Sequence, residues 1–156
     1  MTESSDRYVK VLFEVPEEDG TANVETLWAI DLGADQCRLD NSPFYAYSVS
    51  LQDVVYAPFD AEQGFRTFQR VVSKGGHRTL RVLFDAPLAP GNQADKILKD
   101  LVDLGCSYEG AASRYFSINL PPEADLQKVR AYLIEIAATW EHADPTYAEL
   151  FPDDKS

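Results

Sequence analysis

Apolar and polar positions alternate along the chain from Tyr8 onward, and the period of the pattern changes near its middle. Tyr8–Val15 sets valines, Leu12 and Phe13 among Lys10 and Glu14, a β-prone run that Pro16 closes. Four more runs of this kind follow at Val24–Ile30, Gln36–Leu39, Gln52–Phe59 and Phe65–Val72. Turn chemistry separates them: the acidic Glu17–Gly20, Leu32–Asp35, Asp40–Pro43 and Asp60–Gly64. Phe44–Leu51 carries two tyrosines and no clean period. The pattern predicts five short strands in residues 8–75, hence a small curved sheet or half-barrel.

Ser73–His77 holds two adjacent glycines and reads as the joint to a second half. There the period lengthens. Thr79–Phe84 is a strand. Asn92 is placed to cap a helix with Ala94, Ile97, Leu98, Leu101 and Val102 on one face, and Gly105 to end it in the left-handed region. Cys106–Glu109 and the cleanly alternating Tyr115–Leu120 are strands. A helix is predicted from Glu123 to about Thr139, with Leu126, Val129, Leu133, Ile136, Ala137 and Trp140 on its apolar face. Trp140–Ala143 is a candidate last edge strand. The order β-α-β-β-α, with a terminal β, is that of a ferredoxin-like half. Its helices cover one sheet face, and the β-rich half is expected to cover the other. The expected organisation is α+β: a polar tail at 1–7, a five-stranded half-barrel at 8–75, a ferredoxin-like half at 76–145, and a polar tail at 146–156.

Composition supports a globular protein. The 156 residues are 45% hydrophobic and 26% charged, and the net charge is −12. Residues 1–75 hold −7 of that charge and residues 76–156 hold −5, so the acidity is spread over both halves. A chain this acidic does not neutralise phosphates, which argues against nucleic acid and against an anionic membrane surface. It suits a basic protein partner. Met1–Arg7 is polar and lacks the apolar core of a secretory signal, and no stretch approaches the ~20 apolar residues of a membrane span. The expected compartment is the cytoplasm.

Candidate chemistry is sparse. Cys37 and Cys106 lie far apart, outside any C-x-x-C pair, and read as reduced buried thiols. No metal or cofactor is expected. His77 and His142 are the only imidazoles, and no nucleophile elbow accompanies either, so no catalytic residue is expected. Glu17–Asp19 and Asp153–Asp154 lack the fixed array of a cation loop. The glycines of Ser73–Gly76 lead into a strand, not a helix, which leaves a phosphate cradle unsupported. Tyr108, Tyr115 and Phe116 read mostly as core, since neither half is basic. The aromatics Phe44, Tyr45, Tyr47, Tyr56 and Phe59, interleaved with Asp40, Asp53 and Asp60, are the candidate partner-binding group. A lid over the end of the half-barrel is the simpler reading of the same residues.

Six phrases in order, Glu25-Thr-Leu-Trp28, Arg38-Leu-Asp-Asn-Ser-Pro-Phe44, Ser50-Leu-Gln-Asp-Val-Val55, Leu80-Arg-Val-Leu-Phe84, Leu104-Gly-Cys106 and Leu120-Pro-Pro-Glu-Ala-Asp125, resemble a bacterial family, domain of unknown function 4265. The resemblance covers residues 8 to about 143. It brings no activity, cofactor or catalytic residue, and it carries an association with the immunity proteins of bacterial toxin systems. The functional expectation is therefore a non-enzymatic acidic binding protein that neutralises a basic, nuclease-like toxin by occlusion. The alternative is a regulatory domain with a small-ligand pocket between its halves.

Overall fold

The computed structural model describes residues 7–16 and 22–153. The acidic turn expected at Glu17–Gly20 and the polar ends, residues 1–6 and 154–156, lie outside the described residues. The fold is mixed α+β and mostly strand. The first half forms β1 (Tyr8–Pro16), β2 (Ala22–Gly33), β3 (Gln36–Leu39), β4 (Val54–Tyr56), β5 (Phe59–Asp60), β6 (Phe65–Thr67) and β7 (Arg70–Ser73). They make one seven-stranded sheet in the order β5-β6-β1-β2-β3-β4-β7.

The count of seven corrects the expected five, and Pro58 supplies a physical reason. Gln52–Phe59 and Phe65–Val72 were expected to be unbroken. Each instead bends, the first at Ala57–Pro58 and the second at Phe68–Gln69. Proline offers no ladder N–H, so β4 gives way to β5 at that point. Across the bend the hairpin stays joined: Gln69 N donates to the Tyr56 carbonyl and Thr67 N to the Pro58 carbonyl, both at 2.9 Å. One end of this bent hairpin pairs with β3 through β4, and the other with β1 through β6. The sheet thereby curls back onto its own first strand. Five up-and-down passes leave the first and last running the same way, so the closing β1–β6 pair is parallel. The core inside the curl includes Val11, Phe13, Leu27, Cys37, Leu39 and Val55, with Phe13 stacked on Phe68 at 4.7 Å.

The second half forms β8 (Arg78–Leu83), α1 (Gln93–Asp103), β9 (Ser107–Ala112), β10 (Tyr115–Leu120), α2 (Leu126–Glu135), β11 (Thr139–Asp144) and α3 (Tyr147–Leu150). The four strands pair antiparallel in the order β11-β8-β10-β9. Asn92 caps α1 by accepting from Asp95 N at 3.0 Å, and Gly105 follows the helix at φ +98°. Val102 faces away from the core, 49% exposed. α2 is shorter than expected at both ends. The Asp125 carboxylate accepts from Gln127 N and Lys128 N and starts the helix there. Ala137, in the left-handed region at φ 55°, turns the chain into β11. No glycine marks that stop, so Trp140 sits on a strand instead of the helix. The tail expected from residue 146 is partly ordered: Thr146 and Glu149 form a capping box on α3, and Phe151 packs on Tyr147 at 4.8 Å.

The four-stranded sheet has two unlike faces. Leu80, Val82, Phe116, Ile118 and Leu120 meet Ile97, Leu98 and Leu101 of α1 and Val129 and Leu133 of α2. The alternate residues on the other face, Thr79, Arg81, Ser117 and Asn119, are polar and also buried. Residues 40–53, a strap without regular secondary structure between β3 and β4, meet the first three through Ser50, Ala46 and Pro43, while Asn119 pairs with His77 and Ser107. The strap turns Ala46 and Val49 into the core of the first half, so it lies between the two sheets.

At the joint, Lys74 Nζ lies 2.6 Å from Asp53 Oδ2 and 2.6 Å from Asp144 Oδ2. Burial works against the lysine charge, but the hydrogen bonds to the two carboxylates outweigh it and raise its pKa. Ser50 Oγ bridges Asp144 Oδ2, at 2.6 Å, and Thr79 Oγ1, at 2.7 Å. The next residue, Gly75, donates its N–H to Asp53 Oδ1 at 2.8 Å. A Cβ at Gly75 would lie 2.6 Å from the Gln52 carbonyl oxygen, a backbone atom with little freedom to retreat. Gly75→Ala is therefore expected to lower the urea midpoint by roughly 1–3 kcal/mol of stability, with an unchanged slope. A midpoint that stays in place would mean that the strap yields without cost.

Candidate functional site

A strap that lacks a ladder must satisfy its backbone polar groups in other ways. Carboxylates from outside the strap do much of this. Glu25 on β2, only 8% exposed, accepts from three consecutive amides: Phe44 N at 2.6 Å, Tyr45 N at 3.1 Å and Ala46 N at 3.0 Å. Glu109 on β9 accepts from Ser42 N at 2.8 Å and from Asn41 Nδ2 at 3.4 Å. Asn41 Oδ1 in turn accepts from Trp28 N at 2.8 Å. From the four-stranded sheet, Ser117 Oγ donates to the Pro43 carbonyl at 2.9 Å and Tyr115 Oη to the Phe44 carbonyl at 2.7 Å. Arg81, 1% exposed, donates to the Ala46 carbonyl and lies over the Tyr47 ring at 4.8 Å. Both sheets thus grip one segment by its main chain.

With its backbone held from below, the strap turns two aromatic side chains outward. Tyr45 is 46% exposed and Tyr47 is 49% exposed. Tyr45 stacks on Tyr115 with ring centroids 5.8 Å apart. Tyr47 Oη donates to Glu141 at 2.9 Å, and the Glu141 carboxylate lies 3.5 Å from Arg81 Nη1. Burial and that hydrogen bond to Glu141 raise the Tyr47 pKa, so the phenol stays protonated and stays a donor. Beside these rings a groove of about 340 Å³ is lined by Arg81, Leu83, Tyr115, Thr139, Trp140 and Glu141. At the start of the strap, Tyr8, Trp28, Asp40 and Asn41 line a second open hollow.

The eight expected partner-binding residues divide among three places. Phe44, Tyr45 and Tyr47 are on the strap, and Asp40 is at its start. Tyr56, Phe59 and Asp60 belong to the bent hairpin instead. There Arg70 lies over the Tyr56 ring at 4.4 Å, Asp60 holds the turn by accepting from Glu62 N, and Phe59 is 64% exposed. Asp53 is fully buried and bound to Lys74, Ser50 and Gly75, so it cannot face a partner. Its place in an acidic ring is corrected: the carboxylate serves the joint. Sequence reasoning missed Glu25, Arg81, Glu109 and Glu141, and it read Tyr115 as core. Strand period gave no signal for Arg81, which falls in phase with Thr79 and opposite Leu80 and Val82. Glu25 falls in phase with the inward-facing Leu27 and Ala29, and that alternation was its one signal.

A family model described as Domain of unknown function (DUF4265) matches residues 25–142, which span the strap and strands of both sheets. The chain belongs to the DUF4265 family. No curated protein matches it. A solved structure described as "Novel crystal structure of a hypothetical protein from Neisseria gonorrhoeae" is similar to this DUF4265 protein with a TM-score of 0.76. The likeness covers 94% of this chain and 99% of that one at 13% identity, and is therefore one of fold.

The remaining candidate groups of the DUF4265 protein have structural partners. His77 Nδ1 lies 3.0 Å from Asn119 Oδ1. His142 Nε2 accepts from Arg130 Nε at 2.9 Å, and its ring packs against Trp140 and Tyr147. Cys37 is buried in the first core, and Cys106 in the second, where burial pushes its thiol up to about 11. Among the described residues no three His, Cys, Asp or Glu side chains gather to hold a metal ion. No helix among them is long and apolar enough to cross a membrane. The strap runs between the sheets and is hydrogen-bonded to both. A smaller cavity of about 150 Å³ lies at the start of α1, lined in part by Phe84, Asn92, Ile97 and Ala137.

Replacing Glu25 by Gln leaves one strong acceptor oxygen for three amides. Glu25→Gln is expected to cost roughly 1–3 kcal/mol in urea unfolding. It is also expected to speed hydrogen exchange at Phe44, Tyr45 and Ala46 ahead of the core strands. Unchanged exchange at those amides would show that the sheet holds the strap without the carboxylate. His142 gives a pH signature. Burial, reinforced by the Arg130 charge, lowers its pKa below the ordinary value of 6.5. The folded state then binds this proton less well than the unfolded chain. The contribution is whole above about pH 6.5 and is lost as pH falls from there through the lowered folded value. His142→Gln is expected to flatten the fall in stability between pH 7 and 5, and an unchanged slope would assign the fall to other groups.

Proposed function

We propose that this DUF4265 protein is a non-enzymatic binding protein that occludes a basic protein partner. Its specific form is an immunity protein that neutralises a nuclease-like toxin. One observation carries the reading: Tyr45 and Tyr47 stand half-exposed on a backbone that Glu25, Tyr115 and Arg81 pin in place. Aromatic anchors whose backbone is already ordered lose little further entropy on binding, and such residues dominate interface energetics. The net charge of −12 supplies long-range steering toward a basic partner and suppresses wrong ones.

The β-α-β-β-α-β order of the second half and its strand order β11-β8-β10-β9 support a ferredoxin-like description. Such a sheet reads RNA through exposed aromatics on its open face. Here the strap covers the polar face and Phe116 packs toward the helices, which favours a protein partner over RNA.

The direct test is calorimetric titration against the domain encoded by the adjacent reading frame, paired with growth rescue in co-expression. Submicromolar binding is expected. Affinity should fall at least tenfold, about 1.4 kcal/mol, in Tyr45→Ala and in Tyr47→Ala. It should hold in Phe59→Ala, and the association rate should drop as salt is added. A neighbouring product that does not bind, or one that binds both tyrosine variants as well as the parent, overturns the reading.

A further inference from the structure

We propose that the outer face of β1, β2 and β3 is a dimer interface, covered by a second copy of this chain about a two-fold axis parallel to β2. The face belongs to the seven-stranded sheet and uses neither Tyr45 nor Tyr47.

Residues directly opposite one another in an antiparallel ladder project from the same side of the sheet. The pairing of β1 with β2 and of β2 with β3 therefore sets two rows on one face. One row is Lys10, Trp28 and Asp40, the last placed by Asp40 N donating to the Trp28 carbonyl at 2.9 Å. The other is Tyr8, Ile30 and Arg38. The alternate residues, Val11, Leu27, Ala29 and Leu39 among them, fill the core of the first half, so the two rows point outward. Ile30 belongs to neither core. Tyr8 is 55% exposed and Trp28 46% exposed, and they line one open hollow with Asp40. Single exposed apolar residues are ordinary. Two aromatics around an isoleucine, with exposed Leu32 next along β2, form a patch.

Charge decides what covers it. Among the described residues Lys10, Arg38 and Asp40 make no ion pair, and the Lys10 ammonium lies over the Trp28 ring at 4.9 Å. The two rows hold two cations and one acid, in a chain of net charge −12. They disfavour a basic partner and accept a second acidic copy. Their order is also self-complementary. The two-fold axis lays β1 of one copy over β3 of the other, and each row over its own copy. Lys10 then meets Asp40 of the second copy, Asp40 meets its Lys10, and the two Trp28 rings meet on the axis. Tyr8 meets the Arg38 guanidinium, a favourable ring–cation contact. Every off-axis contact occurs twice, as a closed two-fold interface requires. Within one chain Lys10 and Asp40 stand two strand spacings apart, roughly 10 Å, with Trp28 between them. Three strands make a narrow face at the small end of stable interfaces, so the dimer is expected to dissociate at about 10 µM.

Sedimentation velocity of the full chain is the test. Between about 1 and 500 µM the parent should pass from one chain to two. Trp28→Ser should raise the concentration at which this happens at least tenfold, with the urea midpoint of the parent retained. Lys10→Glu sets a carboxylate against Asp40 of the second copy, and Asp40→Lys sets an ammonium against its Lys10. Each variant alone should stay monomeric. Mixed in equal amounts the two should pair, because both facing charges at rows 10 and 40 are then opposite. A parent that stays monomeric throughout, or a dimer that Trp28→Ser leaves unchanged, overturns the interface. Single charge variants that dimerise like the parent, or a mixture that stays monomeric, overturn the two-fold arrangement and the proposal with it. A monomeric parent whose binding to the adjacent-frame domain is lost in Trp28→Ser gives the face to that partner and overturns the dimer, while the role of Tyr45 and Tyr47 is read from their own variants.

Discussion

A sheet face that is polar and yet buried is the constraint from which the rest of the DUF4265 structure follows. Thr79, Arg81, Ser117 and Asn119 cannot be covered by an apolar layer, because each would then lose its hydrogen bonds to water and gain none. A segment whose main-chain groups are unspent is the complementary cover. Residues 40–53 are such a segment, since without helix or ladder their carbonyls and amides need outside partners. Ser117, Tyr115 and Arg81 donate to the carbonyls of Pro43, Phe44 and Ala46, while Glu25 and Glu109 accept from the amides. A charge-assisted hydrogen bond is worth about 1.5–3 kcal/mol net, roughly twice a neutral one, which is why carboxylates on neighbouring strands suffice to hold an irregular segment.

The acid surplus acquires a second meaning from this arrangement. By composition alone the charge of −12 reads as a surface property directed at a partner. In the fold, Glu25, Asp53 and Asp144 are buried and serve as internal ligands for amides, hydroxyls and Lys74. These three acids and the buried Arg81 remove only a small share of the surplus. The exposed remainder still steers, but the acids that matter most to architecture are the ones no partner can touch. The Lys74 knot shows the same economy: one half-exposed cation holds two buried carboxylates, one from each half of the chain.

Rigidity and exposure coincide at Tyr45 and Tyr47 because of the strap's position. Their backbone is part of the interior polar network, and their rings are not. A loop with free ends would have to be ordered on binding, at a cost of about 1–2 kcal/mol per residue. Here the two sheets have already met that cost in folding. The bent hairpin carries Phe59 outward too, but on a two-residue strand at a turn, without such anchoring.

Local periods were legible in the chain itself. The two-residue period of β1, β3 and β10, the apolar face of α1, its Asn92 cap and the glycine joint at residues 75–76 follow from properties of neighbouring residues. So does the gross α+β composition. The end of α2 was not legible, because Ala137 takes a left-handed conformation that glycine would have announced. The curling of the first sheet was only half legible: Pro58 marks the break, but the parallel β1–β6 pair joins residues more than fifty positions apart. The candidate site lay furthest from view. Glu25 acts on amides about twenty residues away and Arg81 on a carbonyl 35 residues away. Which acids turn inward, and which tyrosines are left outside, was decided only when the two sheets closed on the strap, since hydrogen-bond satisfaction in a buried layer depends on the packing of the whole and not on local sequence.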